Sequence, residues 1–240
     1  MVEISEVIGE PVLTHRRERG LDVPLLLWRP ARPVVAISSA VLGGGIGPCE
    51  WLVNASVPMS YDRDDPEVHL GEIAAGLGLS GPGVGLLTGV DVADLVTADD
   101  GGVRLWATVG LRAPVQAAAD PGPADPDPAH PDPGPAPPRP GTVNIVAWVP
   151  QRLADGALVN AVATITEAKT QAIRELGQVA TGTATDAVAV LCPAAGPVAC
   201  YAGPRAPWGA RLARAAHAAV RDGGAVSLAG SPSWSERRGR

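Results

Sequence analysis

The chain has 240 residues, 46% of them hydrophobic and 18% charged, with a formal net charge of −6. That length supports one large core or two small ones. An acidic chain whose basic residues gather only in short stretches such as the terminal SERRGR is a poor partner for nucleic acid or an anionic membrane, and no apolar run is long enough to cross a bilayer.

In chain order, VPLLLW (23–28) and VVAISS (34–39) read as strands, and Gly43-Gly44-Gly45-Ile46-Gly47 as a glycine-rich turn. WLVNASV (51–57) is a further strand. Pro66 opens a short helix reaching Leu77, with Val68, Ile73 and Leu77 as its apolar positions. VGLLTGV (84–90) and VRLWATVGL (103–111) read as buried strands. From Pro114 to Pro140 the chain is Pro-rich, acidic and almost free of large apolar residues, so it is expected to form an extended, disordered insertion. VNIVAWV (143–149) resumes as a strand. A long helix is predicted over about 154–177, a strand over 187–192 and a closing helix from Trp208 to Arg221. The expected organisation is a single domain over 1–222, interrupted by the 114–140 insertion and followed by a disordered tail over 223–240.

A weak internal repeat links WLVNASVPMSYDRDDP to VNIVAWVPQRLADGA: a strand, a Val-Pro step, then a helix start. Each half ends at a Thr/Asp corner, Thr88 to Asp91 in the first and Thr183 to Asp186 in the second. The expected fold is therefore α/β, or α+β, a layered sandwich with a mixed sheet and two pseudo-symmetric β-α-β halves. A site at their junction would meet both corners.

Lys169 is the only lysine, against eighteen arginines. A composition that replaces Lys with Arg wherever charge alone suffices leaves a lysine where a compact, deprotonatable ammonium is needed. On a helical projection Lys169 falls among Leu158, Val162, Ile165, Ala172, Ile173 and Leu176, while Asn160, Thr164, Glu167 and Gln171 fall on the other face. Snorkelling explains a lysine on an apolar face equally well; a partly buried ammonium beside a carboxylate is the sharper alternative. Thr181-Gly182-Thr183-Ala184-Thr185-Asp186 follows the helix and offers backbone amides, hydroxyls and a carboxylate in a tight corner, which suits either an oxyanion site or a capped turn.

Other motifs carry less. GGGIG is followed by strand-like sequence rather than a helix, so it is no dinucleotide loop. His69 and Glu72 share a helix face without a third ligand, and a solvated face is the simpler account; no metal site is expected. Cys49, Cys192 and Cys200 show no paired spacing and read as reduced, structural thiols. With no signal-peptide pattern at the start, the expected location is the cytoplasm. Trp51, Trp106, Trp148 and Tyr61 could supply area for a broad ligand, but the tryptophans sit in predicted strands and suit the core.

Several segments together, among them SSAVLGGGI, DPEVHLGEIAAGLGL, PGTVNIVAWVP, NAVATITEAKTQA, TGTATDAVAVLCP and GPRAPWGARLARAAH, resemble the adenosylcobinamide amidohydrolase family of corrinoid salvage. The resemblance runs from about Val34 to Val220 and is densest over Asn160 to Lys169 and Thr181 to Asp186. It implies hydrolysis of the amide joining aminopropanol to the corrin periphery, giving adenosylcobyric acid and 1-aminopropan-2-ol, with the corrinoid as substrate and no resident cofactor. Amide hydrolysis needs a nucleophile, oxyanion donors and a proton for the amine. The candidate set is Asp186 or Glu167 to activate water or a Thr183 or Thr185 hydroxyl, Lys169 for charge or the proton, Gly182 amides for the oxyanion, and Asn160 and Asn144 to orient the amide. A corrinoid-binding module without catalysis and a hydrolase of another bulky amide are the competing readings.

Overall fold

The computed structural model describes residues 7–58, 60–120 and 141–230. Two sheets stack face to face, with helices on both outer faces. The smaller sheet has the order β1-β2-β5-β6, formed by Val12–Glu18, Leu21–Trp28, Trp51–Ser56 and Gly83–Thr88. The larger has the order β4-β3-β11-β9-β8-β7, formed by Gly45–Cys49, Val34–Ser38, Ala187–Pro193, Val143–Trp148, Val103–Val109 and Val96–Asp100. Two-residue strands β10 (Arg152–Leu153) and β12 (Val198–Ala199) pair separately. Helices α1 (Pro66–Gly76), α2 (Asp155–Glu175) and α3 (Pro207–Leu228) complete the chain.

Both expected β-α-β units are present. β5 and β6 pair in parallel with α1 between them in sequence, and β9 and β11 pair in parallel with α2 between them. The remaining pairings within the two sheets are antiparallel, so both sheets are mixed.

Three apolar clusters define the layers. Leu26, Trp28, Leu52 and Leu86 of the smaller sheet meet Trp106, Val146, Trp148 and Leu191 of the larger one in the central seam. Ile145, Val190 and Leu105 face Leu158, Ile165 and Ile173 of α2 and Leu212 and Val220 of α3. Val53 and Leu25 face Ile73 and Ala74 of α1. Trp28 and Trp106 meet edge to face at 5.8 Å and share the seam with Trp148, whereas Trp51 packs on the α1 side of the smaller sheet.

Several expectations need correction. The glycine-rich run is only partly turn: Gly45–Cys49 pairs with β3 as an edge strand, and the turn proper lies before it. Gly43 has φ 71, and a Cβ there would fall 1.9 Å from the Gly83 carbonyl, so this turn can press onto β6, where Leu42 bridges Gly85. Strands β1 and β7 were not anticipated, because VLTHRRE and VTADD are polar edge sequences without a clear apolar alternation. The Pro-rich segment does not begin as free chain: Val115 donates to Gly182 O at 2.8 Å and accepts from Thr181 N at 2.8 Å. Residues 121–140 of that segment lie outside the described residues.

The closing helix does not stop at Arg221 but continues to Leu228, so residues 223–228 of the expected 223–240 tail are helical, while 231–240 lie outside the described residues. Gly223 and Gly224 look like a helix end in sequence. In the fold they are contact points: a Cβ on Gly223 would lie 2.8 Å from Val109 Cγ2, and one on Gly224 2.5 Å from Leu176 Cδ1. Their missing side chains let α3 pack closely on β8 and α2. Helix propensity favours Ala over Gly by up to ~1 kcal/mol. Gly209→Ala, also in α3, whose added Cβ would fall 1.9 Å from the Gly203 carbonyl oxygen, should nevertheless destabilise the protein by about 1–3 kcal/mol, through overpacking. Gly71→Ala, in α1 with nothing within 4 Å of its added Cβ, should stabilise it. Urea midpoints of the two variants should move in opposite directions.

Candidate active site

Lys169 sits on the buried side of α2 and is 6% exposed. Its Nζ bonds Asp186 Oδ2, and the two side chains are 8% and 10% exposed. The amine therefore does not snorkel into bulk water. It ends on a carboxylate from the corner that precedes β11.

Asp186 gathers more than the lysine. Its Oδ2 also accepts from Thr183 N at 3.0 Å. Its Oδ1 accepts from Val143 N at 2.8 Å and from the Thr183 hydroxyl. Four donors thus fill the four lone-pair directions of one carboxylate. They come from α2, from the corner itself and from the first residue of β9, so a single side chain ties three segments together. Gly182 makes this possible, since a Cβ there would lie 2.3 Å from Asp186 Oδ2 and 2.6 Å from Lys169 Nζ.

Beside this knot, Thr185 Oγ1 and Thr142 Oγ1 are 2.7 Å apart. Both line a cavity of about 500 Å³ between the sheets. Its other walls are Ser39 to Val41 after β3, Val57, Pro58 and Tyr61 after β5, Gly85 to Gly89 at the end of β6, and Ala184 to Ala187 at the start of β11. The junction of the two halves is therefore a pocket, and residues of both Thr/Asp corners border it: Thr88 and Gly89 from one, Ala184, Thr185 and Asp186 from the other.

Not every predicted residue converges here. Lys169, Asp186, Thr183 and Gly182 form the knot, and Thr185 faces the pocket. Glu167 is exposed on α2, in a shallow surface depression with Thr166, Thr170, Gln171, Arg174 and Glu175. Asn160 is also exposed and borders a separate depression with Tyr201, Arg205 and Trp208. The polar stripe itself breaks up, because Thr164 is 1% exposed and donates to Ala202 O at 2.9 Å. α2 is wrapped on more of its circumference than a two-faced projection assumes: the 199–208 segment covers the face that carries Thr164. Asn144 lies in the seam, where its amide donates to Asn54 Oδ1 and Leu87 O, both at 2.9 Å, and Asn54 in turn donates to Thr108 Oγ1 at 3.1 Å.

Thr142 and Ser39 were not singled out in the sequence, whereas Thr88 belongs to the first Thr/Asp corner. Isolated hydroxyl residues at strand ends carry no pattern of their own, and only the pairing of the sheets brings them to one cavity. His69 also departs from expectation. It is 4% exposed rather than solvated, and Glu72 turns instead to Arg63 at 2.7 Å. No group of three or more His, Cys, Asp or Glu side chains gathers in a metal-binding arrangement among the described residues. All three cysteines are free thiols, and burial pushes Cys49 up to about 11.

A buried ion pair and an adjacent hydroxyl pair beside a cavity where two β-α-β units meet are compatible with a hydrolytic site for an uncharged bond. The comparisons agree with that class. Residues 10–231 match the family model described as adenosylcobinamide amidohydrolase. The chain is 31% identical over 162 residues to a protein of that name from Methanosarcina mazei, covering 66% of this chain and 72% of the relative. It is 35% identical over 180 residues to another from Halobacterium salinarum, covering 74% and 75%. The chain belongs to the adenosylcobinamide amidohydrolase family.

Because Gly182 lies against both partners of the ion pair, Gly182→Ala must push Lys169 and Asp186 apart. The variant should lose about 1–3 kcal/mol of stability in urea titration, the cost of overpacking a closed site, and most of its hydrolytic rate. A variant as stable and active as the parent would show that the pair is not held as described.

Proposed function

We propose that this chain hydrolyses the aminopropanol amide of adenosylcobinamide, releasing adenosylcobyric acid and 1-aminopropan-2-ol, and that it does so in the cytoplasm with no resident cofactor. The observation that carries the reading is the family membership of a chain whose pocket is bordered by Ala184, Thr185 and Asp186 of the Thr181 to Asp186 segment, with Asp186 in turn holding Lys169 of the Asn160 to Lys169 segment. Three free thiols suit a reducing compartment. No described helix is long and apolar enough to cross a membrane.

A cavity of about 500 Å³ accommodates the amide arm and its aminopropanol, while the broad corrin stays at the mouth. In this reading the carbonyl lies against the Ala184 to Asp186 corner. Backbone amides there and the nearby Lys169 charge meet the oxyanion that develops on attack. The Thr142–Thr185 hydroxyl pair holds the attacking water. Asp186 is not the base, because its oxygens are already filled by four donors; it anchors Lys169. Glu167 and Asn160, exposed on α2, are assigned no chemical step, and Asn144 supports the seam beneath the pocket.

The test is incubation of purified protein with adenosylcobinamide, followed by mass spectrometry of the corrinoid and detection of free aminopropanol. Cobyric-acid product with aminopropanol is expected, and unchanged corrinoid would contradict the proposal. Lys169→Arg should slow the reaction by about 10²-fold or more, because a planar guanidinium cannot take the place of a compact ammonium against Gly182. A rate within a few-fold of the parent would remove Lys169 from the mechanism. Dialysis against a chelator should leave the rate unchanged.

A further inference from the structure

Tyr61, on the connection between β5 and α1, lines the pocket and is backed by a row of polar side chains. Its hydroxyl lies 3.1 Å from His69 Nδ1, and the two rings stack at 5.5 Å with an interplanar angle of 18°. Behind it, His69 Nε2 lies 3.3 Å from Glu18 Oε1 on β1. The other oxygen of Glu18 accepts from Arg16 Nε at 2.9 Å, and Arg16 also donates to Ser56 O at 2.9 Å, the last residue of β5. A carboxylate next to Nε2 requires that nitrogen to carry the proton, which leaves Nδ1 as the acceptor for the phenol. The order from the cavity toward a second depression, beside the edge strand β1, is Tyr61, His69, Glu18, Arg16.

We propose that Tyr61, His69 and Glu18 form the proton relay of this pocket, with Tyr61 as a catalytic residue and His69 and Glu18 as residues that position and support it. The proposal rests on the amide-hydrolysis reading and supplies the base that Asp186 cannot provide. In the attack step a water O–H bond breaks as its oxygen bonds the amide carbon. The water proton passes to Tyr61 Oη, and the Tyr61 proton moves to His69 Nδ1, giving an imidazolium beside Glu18. In the collapse step the C–N bond breaks, Tyr61 gives a proton to the departing amine nitrogen, and His69 returns one to Tyr61. The sum is water plus amide to acid plus amine.

The surroundings suit this role. Burial lowers His69 below its ordinary value of about 6.5 and raises Tyr61, so the imidazole is neutral and the phenol protonated in the resting state. The charged groups around the imidazole are Glu18 and Arg16 from β1, Arg63 and Asp65 from the connection, and Glu72 from α1. Arg63 is engaged by Asp65 at 2.6 Å and Glu72 at 2.7 Å, which leaves Glu18 as the carboxylate in contact with the ring. Packing alone would not need a carboxylate on an imidazole this deeply enclosed, since burying such groups costs stability.

The relay is tested in the full chain with adenosylcobinamide. Tyr61→Phe keeps the ring stack and removes one hydroxyl; kcat should fall by about 10²-fold with KM changed little. The acid limb of the parent's kcat profile should lie below pH ~6.5, because the rate is lost as His69 gains its proton, and it should vanish in His69→Gln. Tyr61→Phe with kcat within about threefold of the parent, or an unchanged acid limb in His69→Gln, would overturn the proposal. A second readout does not depend on turnover. Nitrogen-15 spectra of labelled histidine should show His69 as the Nε2–H tautomer with an accepting Nδ1 that shifts in Tyr61→Phe, and an imidazolium at pH 7 would overturn the relay. If the parent protein releases no aminopropanol, the functional reading fails, and the histidine spectra still decide the relay.

Discussion

The Asp186 carboxylate is the constraint on which the rest of the site depends. It lies almost out of solvent and would be costly there without compensation. Lys169 supplies the opposite charge, and two backbone amides and a hydroxyl fill the remaining directions. The consequence is geometric as much as energetic. One atom group sets the distance between α2, the corner before β11 and the start of β9, and so fixes the wall on which Thr142 and Thr185 stand. Lysine suits the position because its ammonium is compact enough to reach the carboxylate past Gly182, where even an added methyl group has no room.

The two β-α-β units meet at this wall with opposite polarity. The pocket takes the carboxyl ends of β5 and β6 from one sheet and the amino ends of β9 and β11 from the other. Each half therefore contributes a different chemistry. The second half brings an ion pair and hydroxyls held rigidly by backbone. The first brings a phenol backed by an imidazole and a carboxylate on β1 and α1. The Asn54–Asn144 contact in the seam beneath ties the two sheets to each other, so the facing walls do not slide.

Much of this was legible in the sequence, for identifiable reasons. Apolar runs such as VNIVAWV and AVAVLC could only be buried strands, and the 3.6-residue period of α2 placed Lys169 inward. Composition and the corner motif raised a partnership of Lys169 with a carboxylate, but left snorkelling open and did not choose between Asp186 and Glu167. What was not legible depends on partners far apart in the chain. The projection of α2 gave Thr164, Asn160 and Glu167 one environment, but the 199–208 segment covers Thr164 alone among them. His69 read as a solvated residue because its burial comes from β1, a strand whose polar sequence conceals it. The two glycines of α3 signalled a helix end, yet their role is close approach to Val109 and Leu176, which only the tertiary fold reveals.

A double-mutant cycle on Lys169→Met and Asp186→Asn, read as unfolding free energies in urea, tests the central interaction most directly. The account predicts that the two substitutions are far from additive, with a coupling of at least ~1.5 kcal/mol, in the upper part of the range for contacting residues. Additivity to within ~0.5 kcal/mol, the behaviour of independent sites, would contradict it.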